Sequence, residues 1–370
     1  MKILLINNTM PYRGSGSGLT EYAYQLARHL KPLLSESDSI GVLYALSKSE
    51  RNNVRGLLIS NTSFKRRIAS IPTQEYDIIH ILDHELGFAA KILKKFGNKA
   101  RVITTIHDLS RFEKGLHRGL AQMIYNHMVQ GSVSDAVGYS DFLLCNSTQT
   151  CATIIAHFGQ RASVKVVSHG TNDAIISTPL QKKKENGYFT TGYIGALMKH
   201  KNVLFILQAA KALESKPEYR FAIYGTGADK GILDKFRQDN ALGNVKLRGH
   251  LDEDAKIKAY DSFNAFAFPS LYEGLGYPIL EAQARGLPVI IYKYGKIPKE
   301  VRKYCFEAES PERMAQIIEN LKKKGYKEKL RKAATEYARS FPWERCARET
   351  FVVYKKVLIA NRKSNNTTHY

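Results

Sequence analysis

The chain has 370 residues, 44% of them apolar, and a formal charge of +22, a length that suits two domains each able to bury a core. No run approaches the roughly 18 apolar residues of a membrane-spanning helix, Ile3–Ile6 is too short for a signal-peptide core, and four cysteines without metal-ligand spacing suit a reducing, cytoplasmic compartment. The cationic surplus asks for an anionic partner, and since no nucleic-acid module accompanies it, phosphorylated ligands and an acidic membrane face are expected ahead of nucleic acid.

In chain order, Lys2–Ile6 reads as a buried strand, followed by the glycine-serine loop Gly14–Gly18 and an amphipathic helix marked by Tyr22, Leu26 and Leu30. The loop glycines lack dinucleotide-fingerprint spacing, and no strand-end acid follows about 20 residues on, so a nicotinamide site is not expected. Tyr76–Leu82 and Val102–Ile106 are predicted strands on either side of a helical stretch from Glu85 to Phe96, the rhythm of a parallel sheet. His80, Asp83 and His84 straddle a strand end without zinc-site spacing and read as cleft-lining or surface residues, not metal ligands. His107 and Asp108 close the next strand, where open α/β sheets collect ligands; His107 is either aimed at a ligand or a capping histidine. Phe142–Cys145 and Val164–Val167, each followed by polar punctuation, complete a first domain over 1–178, and the lysine-rich 179–187 reads as a linker.

A second alternating unit spans 188–340. Tyr188–Ile194 is a strand ending at Gly195, and Asn202–Leu213 is a helix. Between them, Met198-Lys199-His200-Lys201 concentrates positive charge at a strand exit, as a solvated turn or an anion grip. Arg220–Tyr224 leads to Gly225-Thr226-Gly227, and Val245–Leu247 to Arg248-Gly249-His250. Asp252-Glu253-Asp254 opens a helix and suits capping better than a metal. Phe263–Phe268 is a buried strand bounded by Pro269. A loop holding Gly274 and Gly276 follows, then a helix with Pro278 in its first turn and Gly286 and Pro288 at its end. Strand, glycine loop and helix N-terminus together suit an anion, and Glu273 and Glu281 can face one pocket and accept hydrogen bonds from a polyhydroxylated ligand. Phe341-Pro342-Trp343 opens a long amphipathic helix to Ala360, and 361–370 reads as a flexible tail.

Glu273-Gly-Leu-Gly-Tyr-Pro-Ile-Leu-Glu281, followed by Ala-Gln-Ala-Arg-Gly-Leu-Pro, resembles the nucleotide-sugar signature of the retaining glycosyltransferases of family 4, two glutamates with seven residues between them. Thr-Thr-Ile-His-Asp-Leu around His107, the Gly14–Gly18 loop, Lys201-Asn202 and the closing Phe-Pro-Trp helix extend the resemblance over nearly the whole chain. It implies the GT-B fold: α/β, with two Rossmann-like doubly wound domains facing a cleft. Residues 1–178 would be the acceptor domain, 188–340 the donor domain, and 341–360 a helix crossing back to the first domain.

The resemblance also implies a retaining, metal-independent transfer of a hexose from a nucleoside-diphosphate sugar, with GDP-mannose or a UDP-hexose as donor and no further cofactor. The acceptor would be a sugar, polysaccharide or lipid-linked hydroxyl, and the basic surface would hold the enzyme peripherally at an anionic inner membrane face. On the family's pattern Glu273 and the backbone of Gly274, Leu275, Gly276 and Tyr277 hold the sugar, Glu281 takes the ribose hydroxyls, and Lys201 meets the phosphates. His107 contacts the hexose from the first domain, Gly18, Gly195 and Gly225 line the donor, and Arg248 lies near the nucleobase. Ala196 departs from the pattern, standing where many members have an arginine; Lys199 or His200 is the substitute expected. The same scaffold carries nucleotide-sugar epimerases and phosphorylases, and Ala196 keeps a catalytically silent nucleotide-sugar-binding protein open as an alternative.

Overall fold

The computed structural model describes residues 1–9, 18–46, 63–113, 115–116, 120–159, 163–180 and 187–366. They form two compact units, one of Met1–Gly170 with Trp343–Tyr370 and the other of Thr171–Pro342.

The first unit is built on six parallel strands: β1 (Lys2–Thr9), β2 (Ser39–Leu46), β3 (Ile78–Ile81), β4 (Arg101–Ile106), β5 (Phe142–Cys145) and β6 (Val164–Val166), in the order β2-β1-β3-β4-β5-β6. The connections carry α1 (Gly18–Leu30), α2 (63–69), α3 (Phe88–Lys95), α4 (Leu120–Tyr139) and α5 (Thr148–Phe158). A parallel sheet needs both faces covered, which is why β3 and β5 are buried along their whole length and read as continuous apolar runs. On one face Leu4, Ile6, Ile79 and Val102 pack with Leu86, Ala90 and Leu93; elsewhere Ile106 and Leu143 pack with Val129 and Val133 of α4.

The second unit has six parallel strands, β7 (Phe189–Ile194), β8 (Tyr219–Tyr224), β9 (Val245–Arg248), β10 (Ala265–Phe268), β11 (Val289–Tyr292) and β12 (Cys305–Ala308), ordered β12-β11-β10-β7-β8-β9. Its helices are α6 (Asp173–Ser177), α7 (Leu204–Ala212), α8 (Lys230–Asp239), α9 (Glu253–Ser262), α10 (Tyr277–Ala284), α11 (Lys299–Arg302), α12 (Pro311–Lys324) and α13 (Glu328–Arg339). Counted within the unit the order is 6-5-4-1-2-3, so the winding reverses between β7 and β10, and the crevice outside their carboxyl ends is where such sheets place ligands. β10 is entirely buried, and the sheet is packed so closely beside it that a Cβ on Gly192 would stand 2.1 Å from the Phe263 ring. α10 is buried from Ile279 to Ala284, the burial expected of a helix with no polar stripe.

The division falls at 170/171, ahead of the boundary expected at 178, for an identifiable reason. The Arg285 guanidinium is sealed against Asp261 at 2.6 and 2.8 Å and donates to the carbonyls of Ile175, Thr178 and Pro179, so this segment is bound to the second unit. Residues 181–186 of the linker expected at 179–187 lie outside the described residues.

The last helix, α14 (Trp343–Asn366), closes the first unit. Trp343 is buried against Gly170 so tightly that a Cβ there would lie 2.5 Å from the indole, and Tyr354 hydrogen-bonds His80 of β3 at 2.6 Å. The helix runs on to Asn366, which corrects the expected end at Ala360 and replaces the first residues of the flexible tail with helix. Among the described residues no helix is long and apolar enough to cross a membrane.

Candidate active site

The loops after β7, β8 and β10 leave the second sheet at adjacent carboxyl ends and are stitched together by backbone. Leu197 N–H donates to Thr226 O at 2.8 Å, Asp229 N–H to Leu197 O at 2.9 Å and Gly195 N–H to Tyr224 O at 3.1 Å. Gly225 has a φ of +147°, and a Cβ on it would stand 1.8 Å from the Gly195 carbonyl oxygen, so two chains pass where no side chain fits. Gly195 and Gly225, both expected at the site, are thus brought together as the seam between two loops. Arg248, at the end of the edge strand β9, is exposed and lies 5.7 Å over the Tyr224 ring, at the outer end of the same row. Burial raises the Asp229 carboxyl, and the nearby Lys199 charge offsets part of that rise.

The switch-point crevice carries the charged pair. Lys199–Lys201 form a single 3-10 turn, closed by Asn202 in the left-handed conformation, whose side-chain amide donates to Pro269 O at 3.2 Å. Leu271 N–H donates to His200 O at 2.7 Å, joining the β7 and β10 loops across the crevice. That junction sets Lys201 Nζ 2.7 Å from Glu273 Oε1, with side chains only 18% and 8% exposed. Glu273 is fixed in turn by its own N–H, which donates to Lys296 O at 2.9 Å.

Gly274, Leu275 and Gly276 carry the chain from Glu273 to α10. Gly276 takes the N-cap with φ +97°, a conformation strained for any residue with a Cβ, and such a Cβ would lie 3.8 Å from Glu273 Cγ. The N-terminus of α10, starting at Tyr277, therefore opens beside the Glu273–Lys201 pair, adding its dipole to the ammonium. Glu281 lies about 6 Å further along the α10 axis. Lys256 Nζ donates to its Oε1 and the Tyr260 hydroxyl to its Oε2, each at 2.8 Å. Of the two acids expected in one pocket, Glu273 stands ahead of α10 and Glu281 inside its second turn, each with its own cation.

The remaining expected residues belong to the first unit. Gly18 is the first residue of α1, while Gly14 and Gly16 lie outside the described residues. His107, at the end of β4, is buried, and its Nε2 lies 2.5 Å from Leu82 O. A carbonyl only accepts, so in the neutral ring the proton is on Nε2 and Nδ1 presents a lone pair. Burial, helped by His84, pushes the imidazole down to about 3 and keeps it neutral. Beside it, burial and the Glu85 charge push the Asp83 carboxyl up to about 6.

Two groups of residues were not anticipated. Tyr22 stacks on His169 (4.3 Å, 23°) and His169 on Trp343 (5.8 Å, 24°), while the edge of Tyr22 meets His107 at 4.8 Å. A hydrogen-bonded file then runs from Tyr22 through Thr105 and His80 to Tyr354 at 3.0, 2.7 and 2.6 Å. The second group is Lys256 with Tyr260, whose i, i+4 spacing on α9 was the only signal available.

Comparison with known proteins finds a family match within the second unit. Residues 177–341 match the model of the family described as glycosyl transferases group 1. The O-antigen chain mannosyltransferase B of Escherichia coli is 25% identical over 69% of this chain and 70% of its own. Among solved structures, sucrose-phosphate synthase from Thermosynechococcus elongatus superposes with a TM-score of 0.76 at 19% identity, covering 97% of this chain and 99% of that one. HepE of Anabaena, solved with UDP and glucose, gives 0.67 at 16% identity over 96% and 99%. The fold, two doubly wound α/β units, is that of the GT-B glycosyltransferases.

Proposed function

From the match of residues 177–341 to the glycosyl transferases group 1 model, we propose that the chain transfers a hexose from a nucleoside-diphosphate sugar to an acceptor hydroxyl, with retention at the anomeric carbon and without a bound metal. The observation that carries this reading is the 2.7 Å Lys201–Glu273 pair at the β7/β10 switch point, beside the N-terminus of α10. Such a site offers a diphosphate an ammonium and a helix dipole, and a sugar a fixed carboxylate. Donor binding draws Lys201 towards the phosphates and frees Glu273 to accept from the hexose hydroxyls. As the anomeric carbon–phosphate oxygen bond breaks, negative charge grows on the leaving diphosphate, where Lys201, Lys199 and the helix N-terminus stabilise it. The acceptor oxygen bonds the anomeric carbon on the same face and passes its proton to the departing phosphate, so no protein nucleophile is required.

The similarity to an O-antigen chain mannosyltransferase and the UDP bound to HepE favour GDP-mannose or a UDP-hexose as donor. The surplus of cations favours an acceptor displayed at an anionic membrane. Ala196 in place of an arginine favours a second reading, a binding protein without turnover. Release of nucleoside diphosphate that depends on an added acceptor separates the two. Glu273→Gln and Lys201→Ala are each expected to lower transfer by about 10²–10³-fold while the protein stays folded; full activity in both variants removes the assignment.

A further inference from the structure

We infer that Lys256 is a positioning residue that makes Glu281 selective for ribose over deoxyribose in the donor nucleotide, an inference that rests on the donor reading above. An ionised carboxylate has about four lone-pair positions. In Glu281, α9 fills one on each oxygen, Lys256 Nζ on Oε1 and the Tyr260 hydroxyl on Oε2, both at 2.8 Å. One position per oxygen is left, the pattern that receives the two O–H donors of a vicinal diol. The ribose of a nucleoside diphosphate carries such a diol, and a diphosphate seated at the start of α10 brings it towards Glu281. A 2′-deoxy sugar supplies only one of the two donors.

Lys256 is itself held. Its Nζ lies 3.9 Å from Glu253 Oε1, and Glu253 accepts from the side-chain amide of Asn172, the N-cap of α6. Tyr260 is fully buried, and burial together with the Glu281 charge raises its hydroxyl well above the ordinary range, so it remains an O–H donor. Glu281 is only 9% exposed, so bulk solvent is a poor substitute for the ammonium. Without Lys256 the carboxylate keeps a single neutral donor, and its direction is unfixed.

The test is calorimetric binding of UDP, GDP and their 2′-deoxy counterparts to the full chain, as wild type, Lys256→Met and Lys256→Arg, with donor KM and kcat alongside. The wild type is expected to prefer the ribonucleotide by about tenfold or more, the size of one or two lost hydrogen bonds to a charged group. In Lys256→Met the ribonucleotide affinity falls about tenfold and the deoxy affinity far less, so the preference collapses towards one, while Lys256→Arg keeps it; by the same coupling argument KM rises and kcat holds within about threefold. A lysine that merely supports the fold lowers both affinities alike, and an unchanged ratio in Lys256→Met overturns the inference. A wild type that binds no nucleoside diphosphate overturns the donor reading and this inference together.

Discussion

Lys201 and Glu273 are nearly buried and 2.7 Å apart, so each offsets the other's charge. Removing one leaves a buried charge behind, a larger loss than the net worth of the pair. Lys201→Ala is expected to cost about 1–3 kcal/mol of stability in urea titrations, and adding Glu273→Gln to recover part of it. A double variant weaker than the sum of the singles contradicts the pairing. The histidines make a second prediction at this scale. Burial holds His80 and His107 near 3 and His169 well below its ordinary value, against 6.5 for a free imidazole. Their neutral forms are favoured by folding, so between about 3 and 6.5 the unfolded chain binds the extra protons and stability drains away as pH falls, by up to about 1.4 kcal/mol per unit for each histidine. Asp83, raised to about 6, works the other way from its ordinary 3.8, but it is one group against three. Urea midpoints at pH 7, 6 and 5 should fall with acidification, with a shallower slope in His80→Asn; a flat profile refutes the account.

The elements that position the site were legible wherever burial was complete. Phe142–Cys145 matches β5 residue for residue, because a strand covered on both faces has no polar position to blur its ends. The edge strands β2 and β12 went unread: Val42 is 41% exposed, and Cys305, Phe306 and Glu307 are not buried, so neither shows a clean period. α4 was missed too, its stripe obscured by the exposed Met123, Ile124 and Met128. Glu273 and Glu281 could be found by spacing, but their partners could not. Lys201 reaches Glu273 only because β7 and β10 are neighbours, and Lys256 looks like any surface lysine until α9 is laid against α10. At this scale α14 yields a prediction. Tyr354→Phe strips His80 Nδ1 of its partner while leaving Thr105 on Nε2, and is expected to cost about 1–3 kcal/mol, whereas Trp343→Ala, which empties the slot at Gly170, costs about 3–5 kcal/mol. Both are read as shifts in urea midpoint, and a neutral Trp343→Ala contradicts the packing described.

Over the whole molecule, 56 Lys and Arg face 34 Asp and Glu. A field of that size acts on partners more than on the fold, and it is screened beyond about 8 Å at physiological salt. Co-sedimentation with phosphatidylglycerol vesicles is expected at low ionic strength and should fade as salt rises; no binding even at low salt counts against a membrane-displayed acceptor.

The first unit is assembled from both ends of the sequence, Met1–Gly170 and Trp343–Tyr370, with the second unit threaded between them. On the ribosome, where domains fold largely in order of emergence, the sequence of events is therefore inverted. The segment that emerges first stays incomplete, with His80 and Gly170 uncovered, until α14 has been translated, while Thr171–Pro342 has all of its residues earlier. A chain ended by a stop codon after Pro342 should resist protease in its later part and be cut in its earlier part, the half that was made first left permanently unfinished.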